Sequence, residues 1–113
     1  MFLSSELLRL RHQRCEAAGA YYQVMHVFAE ASCARRPYSE LQILAGALVR
    51  ATEPYRAALE ALRECLLTQV PTTEMQGEYQ RTEKLLMLLA YERAAWSRYA
   101  TRSQSDNSPA APA

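Results

Sequence analysis

The feature that most constrains the fold is the near absence of turn residues over most of the chain. Only three of the 113 residues are glycine. Pro37 and Pro71 separate three long stretches rich in Ala, Leu, Glu, Arg and Gln, the residues that enter a helix at the lowest cost in free energy. These stretches run from about Ser5 to Arg35, from Ser39 to about Gln69 and from Thr73 to about Arg102. The sequence therefore predicts an all-α protein with three long helical arms.

Signals for helix starts and stops refine this prediction. Segments 39–42 (SELQ) and 73–76 (TEMQ) each place a hydroxyl three residues before a glutamine, which is the spacing of a capping box. Pro54 lies inside the second arm, and because proline is comfortable only in a first helical turn, we expect two helices there, over about 40–51 and 53–69. Short connections make neighbouring helices antiparallel. We predict an antiparallel helical bundle of three long arms containing four helices, with the middle arm broken at Pro54.

The domain organisation follows from where the apolar periodicity ends. Residues 1–102 are predicted to form a single helical domain, because a chain of this length supports one modest core. Residues 103–113 (SQSDNSPAAPA) lack that periodicity and are predicted to be a disordered tail. The spacing of the two capping boxes matches the period of a tetratricopeptide repeat, but the small and aromatic positions of that repeat do not recur.

The charge balance and the apolar runs argue against several classes of function. The chain carries 13 basic and 12 acidic residues, a formal net charge of +1, so no overall field attracts nucleic acid or an anionic membrane. The N-terminus has no basic region ahead of an uninterrupted apolar segment, and the longest apolar run, 85–91, is too short to span a bilayer. We therefore expect a cytoplasmic protein that contacts neither nucleic acid nor membrane directly.

The residues most often used in catalysis or metal binding are not clustered in the sequence. His12 with Glu16, and His26 with Glu30, each share a helix face but offer two ligands, whereas a closed metal site needs four. We interpret these pairs as part of a solvated polar stripe. Cys15 is within reach of His12 but lies on an apolar stripe, so a cysteine nucleophile is not expected. The sequence predicts no catalytic residue, no metal, no cofactor and no enzyme.

The three cysteines are interpreted as reduced, buried thiols. Their number is odd, and Cys15 and Cys33 lie too far apart on one predicted helix to form a disulfide. Cys65 has no partner at a ligand-like spacing. Free cysteine behaves as a small apolar residue and is usually buried.

The first and third arms carry more apolar surface than one side of a bundle requires. A helix on the outside of a bundle needs a single apolar stripe, but each of these arms has two. In the first arm one stripe comprises Leu8, Cys15, Ala18, Tyr22, Met25 and Ala29, and the other, rotated by about 100°, comprises Leu10, Ala17, Tyr21, Val24 and Phe28. In the third arm they are Met75, Tyr79, Leu86, Leu89 and Trp96, and Leu85, Leu88, Ala95 and Tyr99.

We predict that the surplus stripes bind protein. Covering an apolar side chain contributes roughly 1.5 to 3 kcal/mol, so a few such residues approach the roughly 8 kcal/mol of a micromolar complex before association costs. The alternative is that the middle arm shields both stripes. The candidate binding residues are Tyr21, Val24, Phe28, Leu85, Leu88 and Tyr99.

In length, Arg- and Glu-rich composition and helical format, the chain resembles the QslA-like family of small quorum-sensing anti-activators. The resemblance is one of format and carries over no functional residue. It implies a bacterial, non-catalytic regulator that binds the ligand-binding domain of a LuxR-type transcription factor and prevents its dimerisation. The alternative is an export chaperone of the flagellar or type III kind, which binds an amphipathic segment of its client in a groove. A homodimer is expected in either case, and a structural subunit or immunity protein is a third option.

Overall fold

A computed structural model describes residues 5–69 and 72–102, and within them the chain is entirely helical apart from the connections. The helices are α1 (Ser5–Cys33), α2 (Tyr38–Thr68) and α3 (Thr73–Thr101). The prediction of an all-α bundle with three long arms is confirmed. The predicted tail, 103–113, lies outside the described residues.

The middle helix, α2, holds the bundle together by packing against both of the others. At one end, Leu7 and Leu10 of α1 meet Leu62 and Leu66 of α2 and Met75 of α3. A second cluster fills the centre of the bundle. It comprises Tyr21, Leu48, Tyr55, Leu59 and Leu89. In both clusters α2 runs antiparallel to its neighbours, so α1 and α3 are parallel to each other. Within the described residues no Cα atom of α1 lies within 8 Å of a Cα atom of α3, so these two helices meet through side chains alone.

The predicted break at Pro54 is not confirmed, because α2 is one continuous helix of 31 residues that contains Pro54. Leu48 and Tyr55, on either side of the proline, belong to the same core cluster, and their shared burial favours a continuous helix. Pro54 and Arg50 are both exposed, so water can reach the carbonyl that loses its amide donor at the proline. Tertiary packing has overridden a local preference.

The helix ends differ in detail from the predicted capping boxes. The residue before α2 is Pro37, with no side-chain capping bond, so the predicted cap at Ser39 is wrong. At α3 the cap is Thr72 rather than Thr73, and its hydroxyl accepts a hydrogen bond from the backbone amide of Met75 at 3.1 Å. Just after the end of α1, Arg35 has a positive φ of 56°. The backbone amides of Arg35 and Arg36 donate to the carbonyls of Ser32 and Ala31 in the last turn of α1, as in a Schellman motif.

Gln42 has a role that differs from the predicted one. Instead of returning to the start of its own helix, its side-chain amide donates to the backbone carbonyls of Tyr99, at 3.2 Å, and of Arg102. These carbonyls have no intrahelical donor because they belong to the last turn of α3. A side chain of α2 therefore satisfies the C-terminal end of α3.

Replacing Pro54 with alanine is expected to stabilise the protein by about 1 to 2 kcal/mol. Alanine restores an amide donor inside α2 and removes the clash of the proline ring, while the greater freedom of the unfolded chain offsets part of the gain. Urea denaturation followed by circular dichroism measures the change. An unchanged free energy of unfolding would mean that α2 is already interrupted at this position.

The observed cap hydroxyl of Thr72 and the predicted cap hydroxyl of Ser39 should respond differently to alanine. Thr72→Ala is expected to cost about 1 kcal/mol, because the amide of Met75 loses its acceptor. Ser39→Ala should change the free energy of unfolding by less than about 0.5 kcal/mol, because Ser39 caps nothing. Paired urea titrations of the two variants give the comparison, and equal losses would contradict the observed helix starts.

Candidate protein-binding surface

The structure buries the stripe of α1 that supplied the candidate binding residues, and it exposes part of the other stripe. Tyr21, which was expected to face a partner, is only 1% exposed and lies in the central core. Val24 and Phe28 are half-buried and pack against the same cluster. Leu8 and Tyr22, from the other stripe, are about half exposed, at 52% and 51%. The expectation that the Tyr21 stripe stays outside the bundle is therefore wrong.

Of the candidate residues on α3, Leu88 is the one that remains open to solvent. It is 55% exposed, whereas Leu85 is half-buried against the core. Tyr99 is also half-buried, and its ring packs against Phe28, with 5.5 Å between ring centroids, and against Tyr38, at 5.2 Å. The exposed surface extends from Leu88 around the helix to two residues that the sequence analysis did not select. These are Met87 and Tyr91.

Two of the exposed apolar residues, Tyr22 of α1 and Leu88 of α3, border one groove. A notch of about 50 Å³ opens between the two helices, with Tyr22 on the α1 side and Leu85 and Leu88 on the α3 side. Tyr21 and Tyr55 line it from the core. The groove exists because α1 and α3 approach each other less closely than either approaches α2. We call it the α1/α3 groove.

A hydrogen-bonded network links the two sides of this groove. The indole N–H of Trp96 donates to the hydroxyl of Tyr21 at 3.0 Å. That hydroxyl donates to Oε1 of Glu92 at 2.6 Å, a length typical of a bond to a charged acceptor. The network fixes Tyr21 as a tie between α1 and α3 and leaves its hydroxyl fully engaged.

Burial changes the acidity of two tyrosines at this place. Desolvation, followed by the hydrogen bond to Glu92, raises the pKa of Tyr21 well above its ordinary value of 10. Desolvation, followed by the proximity of Tyr22, raises the pKa of Tyr55 to about 12. Both side chains therefore remain neutral at physiological pH, where they act as hydrogen-bonding and packing groups.

The same groove becomes basic towards the start of α1 and α3. Arg11 donates two hydrogen bonds to the buried carboxylate of Glu78, at 3.0 and 2.5 Å. Arg14 lies 3.7 Å from the same carboxylate. Together with Arg81 and Glu74 these residues line an open cleft of about 600 Å³. The sequence analysis missed this cluster because Arg11 and Glu78 are 67 positions apart and no local pattern relates them.

The histidine pairs lie where the sequence placed them. His12 is 3.5 Å from Glu16, and His26 is 3.3 Å from Glu30. All four side chains of these pairs are exposed, which confirms them as part of a solvated face. Among residues 5–69 and 72–102, no three or more His, Cys, Asp or Glu side chains are grouped so as to hold a metal ion.

The thiols are more accessible than predicted. Cys15 and Cys33 are exposed and Cys65 is half-buried, so the expectation of buried thiols is wrong for the first two. Cys15 belongs to the Leu8–Tyr22 stripe of α1, of which Leu8, Cys15 and Tyr22 are exposed while Ala18 and Met25 pack against the core. All three thiols are free of disulfide bonds.

No protein-family model, no curated protein and no solved structure matches this chain. Within the part of the chain that the structure describes, none of the helices has the length and apolar character needed to traverse a bilayer.

Raising the pH above about 10 should weaken the fold, because the unfolded chain then ionises tyrosines that the native protein keeps neutral. A pKa that is higher in the folded state means that the stabilisation is complete below pH 10 and is lost as the pH rises towards the folded value. For Tyr55 the loss is about 1.4 kcal/mol per pH unit, up to its folded pKa of about 12. Urea titrations between about pH 9 and pH 11 measure it.

Tyr55→Phe provides the comparison for this pH dependence. The variant lacks one shifted hydroxyl, so its stability should fall less steeply with pH than that of the wild type. Parallel slopes for the two proteins would mean that Tyr55 titrates normally in the native state.

Proposed function

We propose that this chain is a non-catalytic, cytoplasmic protein-binding regulator that sequesters a partner protein on its α1/α3 groove. An anti-activator that holds a transcription factor in an inactive form is the specific role that we favour. The observation that carries the proposal is the exposure of large apolar side chains at this groove, where Leu88 is 55% exposed and Tyr22 is 51% exposed. Tyr91, further around α3, is 75% exposed.

The size of this surface makes it relevant to binding. Scattered exposed apolar residues are normal on a folded protein, whereas a contiguous group is typical of an interaction site. Tyr22, Leu85 and Leu88 line one notch, and Met87 and Tyr91 continue the apolar surface along α3. Leucine, tyrosine and methionine side chains that become covered contribute roughly 1.5 to 3 kcal/mol each. Three or four of them supply the gross gain of a micromolar complex.

The surface that we propose differs from the one predicted from sequence. Leu88 and the half-buried Leu85 remain on it, while Tyr22 replaces Tyr21 on α1. Val24, Phe28 and Tyr99 support it from beneath by packing between the helices.

Two kinds of partner agree with a small helical protein that has an apolar groove. The resemblance in format to QslA-like anti-activators supports a LuxR-type transcription factor. The alternative is an export chaperone, since a groove between parallel helices suits an amphipathic segment of a client. A second copy of the chain is the competing occupant of the groove, and it would make the protein a homodimer.

Leu88→Asp is expected to weaken binding of the cellular partner by about tenfold or more, because the change removes apolar contact and places a charge where water is excluded. Ile43→Asp is the matched control, since Ile43 is also an exposed apolar residue, at 69%, but lies on α2. Tagged wild-type protein and both variants are compared in pull-downs with quantitative mass spectrometry, after circular dichroism has shown that all are folded. Equal retention of the partner by Leu88→Asp and wild type would exclude the groove.

The identity of the captured protein separates the two candidate functions. A regulator should co-purify with a transcription factor and lower its DNA binding in a gel-shift assay, whereas a chaperone should co-purify with an exported protein. Light scattering on the purified chain tests the homodimer. Tyr21→Asp serves as a core control that should lose the fold itself, because it buries a carboxylate beside Glu92.

A further inference from the structure

The α1/α3 groove changes from basic to apolar along its length. Its basic end is the cleft lined by Arg11, Arg14 and Arg81 together with two glutamates. Its apolar part is the notch between Tyr22 and Leu88. Arg81 and Leu88 are seven residues apart on α3, which corresponds to about 10 Å along the helix. A single ligand of modest length can therefore contact both regions.

The positive charge at the basic end exceeds what the protein itself neutralises. Glu78 engages both Arg11 and Arg14. Arg81 and Lys84 are both exposed, and neither forms an ion pair with any residue of 5–69 or 72–102. On α3, Lys84 lies four residues before Leu88 and three after Arg81, so these three side chains share one face. That face presents two open cations beside an apolar anchor.

The shape of the groove fits a helix. Helices in bundles pack with axes about 8 to 10 Å apart, and α1 and α3 run parallel with their Cα atoms separated by more than 8 Å. A helix laid over the groove would contact both of them and would complete a four-helix arrangement. Recognition of amphipathic helices in apolar grooves between helices is a recurring mode of peptide binding.

The charges disfavour a second copy of this chain as the occupant. A twofold pair centred on Tyr22 and Leu88 would place the basic end of one copy against residues 93–102 of the other. That segment contains Arg93, Arg98 and Arg102 and no acidic residue. Like charges brought together across an interface oppose association.

We propose that the α1/α3 groove binds an acidic amphipathic helix of a different protein, with glutamate or aspartate side chains facing Arg81 and Lys84 and apolar side chains seated between Tyr22 and Leu88. This proposal rests on the proposed function and adds the chemistry of the partner. The acidic side chains of that helix would lie about one to two turns from its apolar anchors, because Lys84 and Arg81 lie four and seven residues before Leu88.

Two synthetic helical peptides of about 18 residues test the proposal. Both carry leucines at positions i, i+3, i+4 and i+7. They differ only in the charged residues about one to two turns from these leucines, which are glutamates in one peptide and lysines in the other. Fluorescence anisotropy should show the glutamate peptide binding the full chain about tenfold more tightly than the lysine peptide, with the difference shrinking as salt is raised. Arg81→Glu combined with Lys84→Glu should reverse this preference.

Arg50→Glu is the matched control for Arg81→Glu. Each arginine is exposed on a helix, and its guanidinium lies beside a glycine four residues earlier. The guanidinium of Arg50 is 3.7 Å from the point where a Cβ atom on Gly46 would lie, and that of Arg81 is 3.3 Å from the corresponding point on Gly77. Because Arg50 belongs to α2, its reversal changes the net charge without changing the groove. If Arg50→Glu and Arg81→Glu changed the affinity for the glutamate peptide equally, the net charge of the protein would explain the binding preference, and the proposal would be overturned.

The other outcomes are equally decisive. If neither peptide binds, or both bind alike, the groove does not select acidic helices. If Leu88→Asp abolishes partner capture while Arg81→Glu leaves it intact, the proposed function survives and the acidic partner is excluded. If light scattering shows a dimer that Leu88→Asp dissociates, a second copy is the occupant and the proposal fails.

Discussion

The structure depends on α2 lying between α1 and α3. Leu48, Leu59 and Leu62 of α2 are completely buried, and each belongs to a cluster that contains side chains from the other two helices. The backbones of α1 and α3 stay further apart, and they are joined by long side chains such as Tyr21 and Arg11, which reach Glu92 and Glu78. This asymmetry creates a groove on one side of the bundle.

The hydrogen-bonded links between α1 and α3 join long side chains across the space between the two backbones, and one of them buries the carboxylate of Glu78. A buried carboxylate is unfavourable unless it is paired, and Glu78 is held by two arginines. Glu92 is exposed and accepts a hydrogen bond from Tyr21. Such pairs contribute little net stability compared with apolar packing, but they fix the register of two parallel helices. The register in turn places Tyr22 opposite Leu88 and Arg14 close to Arg81.

The groove therefore places uncovered apolar side chains next to cations. In the proposed function, apolar side chains that no described part of the bundle covers would drive binding, and the cations next to them would select the partner. Neither role requires a catalytic group, and the neutral, fully bonded hydroxyl of Tyr21 acts in the architecture of the groove.

The sequence by itself determined the helices, because local preferences and the two interhelical prolines act over a few residues. It also determined the solvated face that carries His12, Glu16, His26 and Glu30, since all four side chains are polar. It did not determine which apolar stripe of α1 is buried, because two stripes about 100° apart satisfy helical periodicity equally well. The tertiary structure decided that, choosing Tyr21 over Tyr22 through contacts with Trp96 and Glu92, some 70 residues away. The same long-range packing kept α2 continuous through Pro54 and assembled the basic cleft, since burial depends on neighbours that no local pattern specifies.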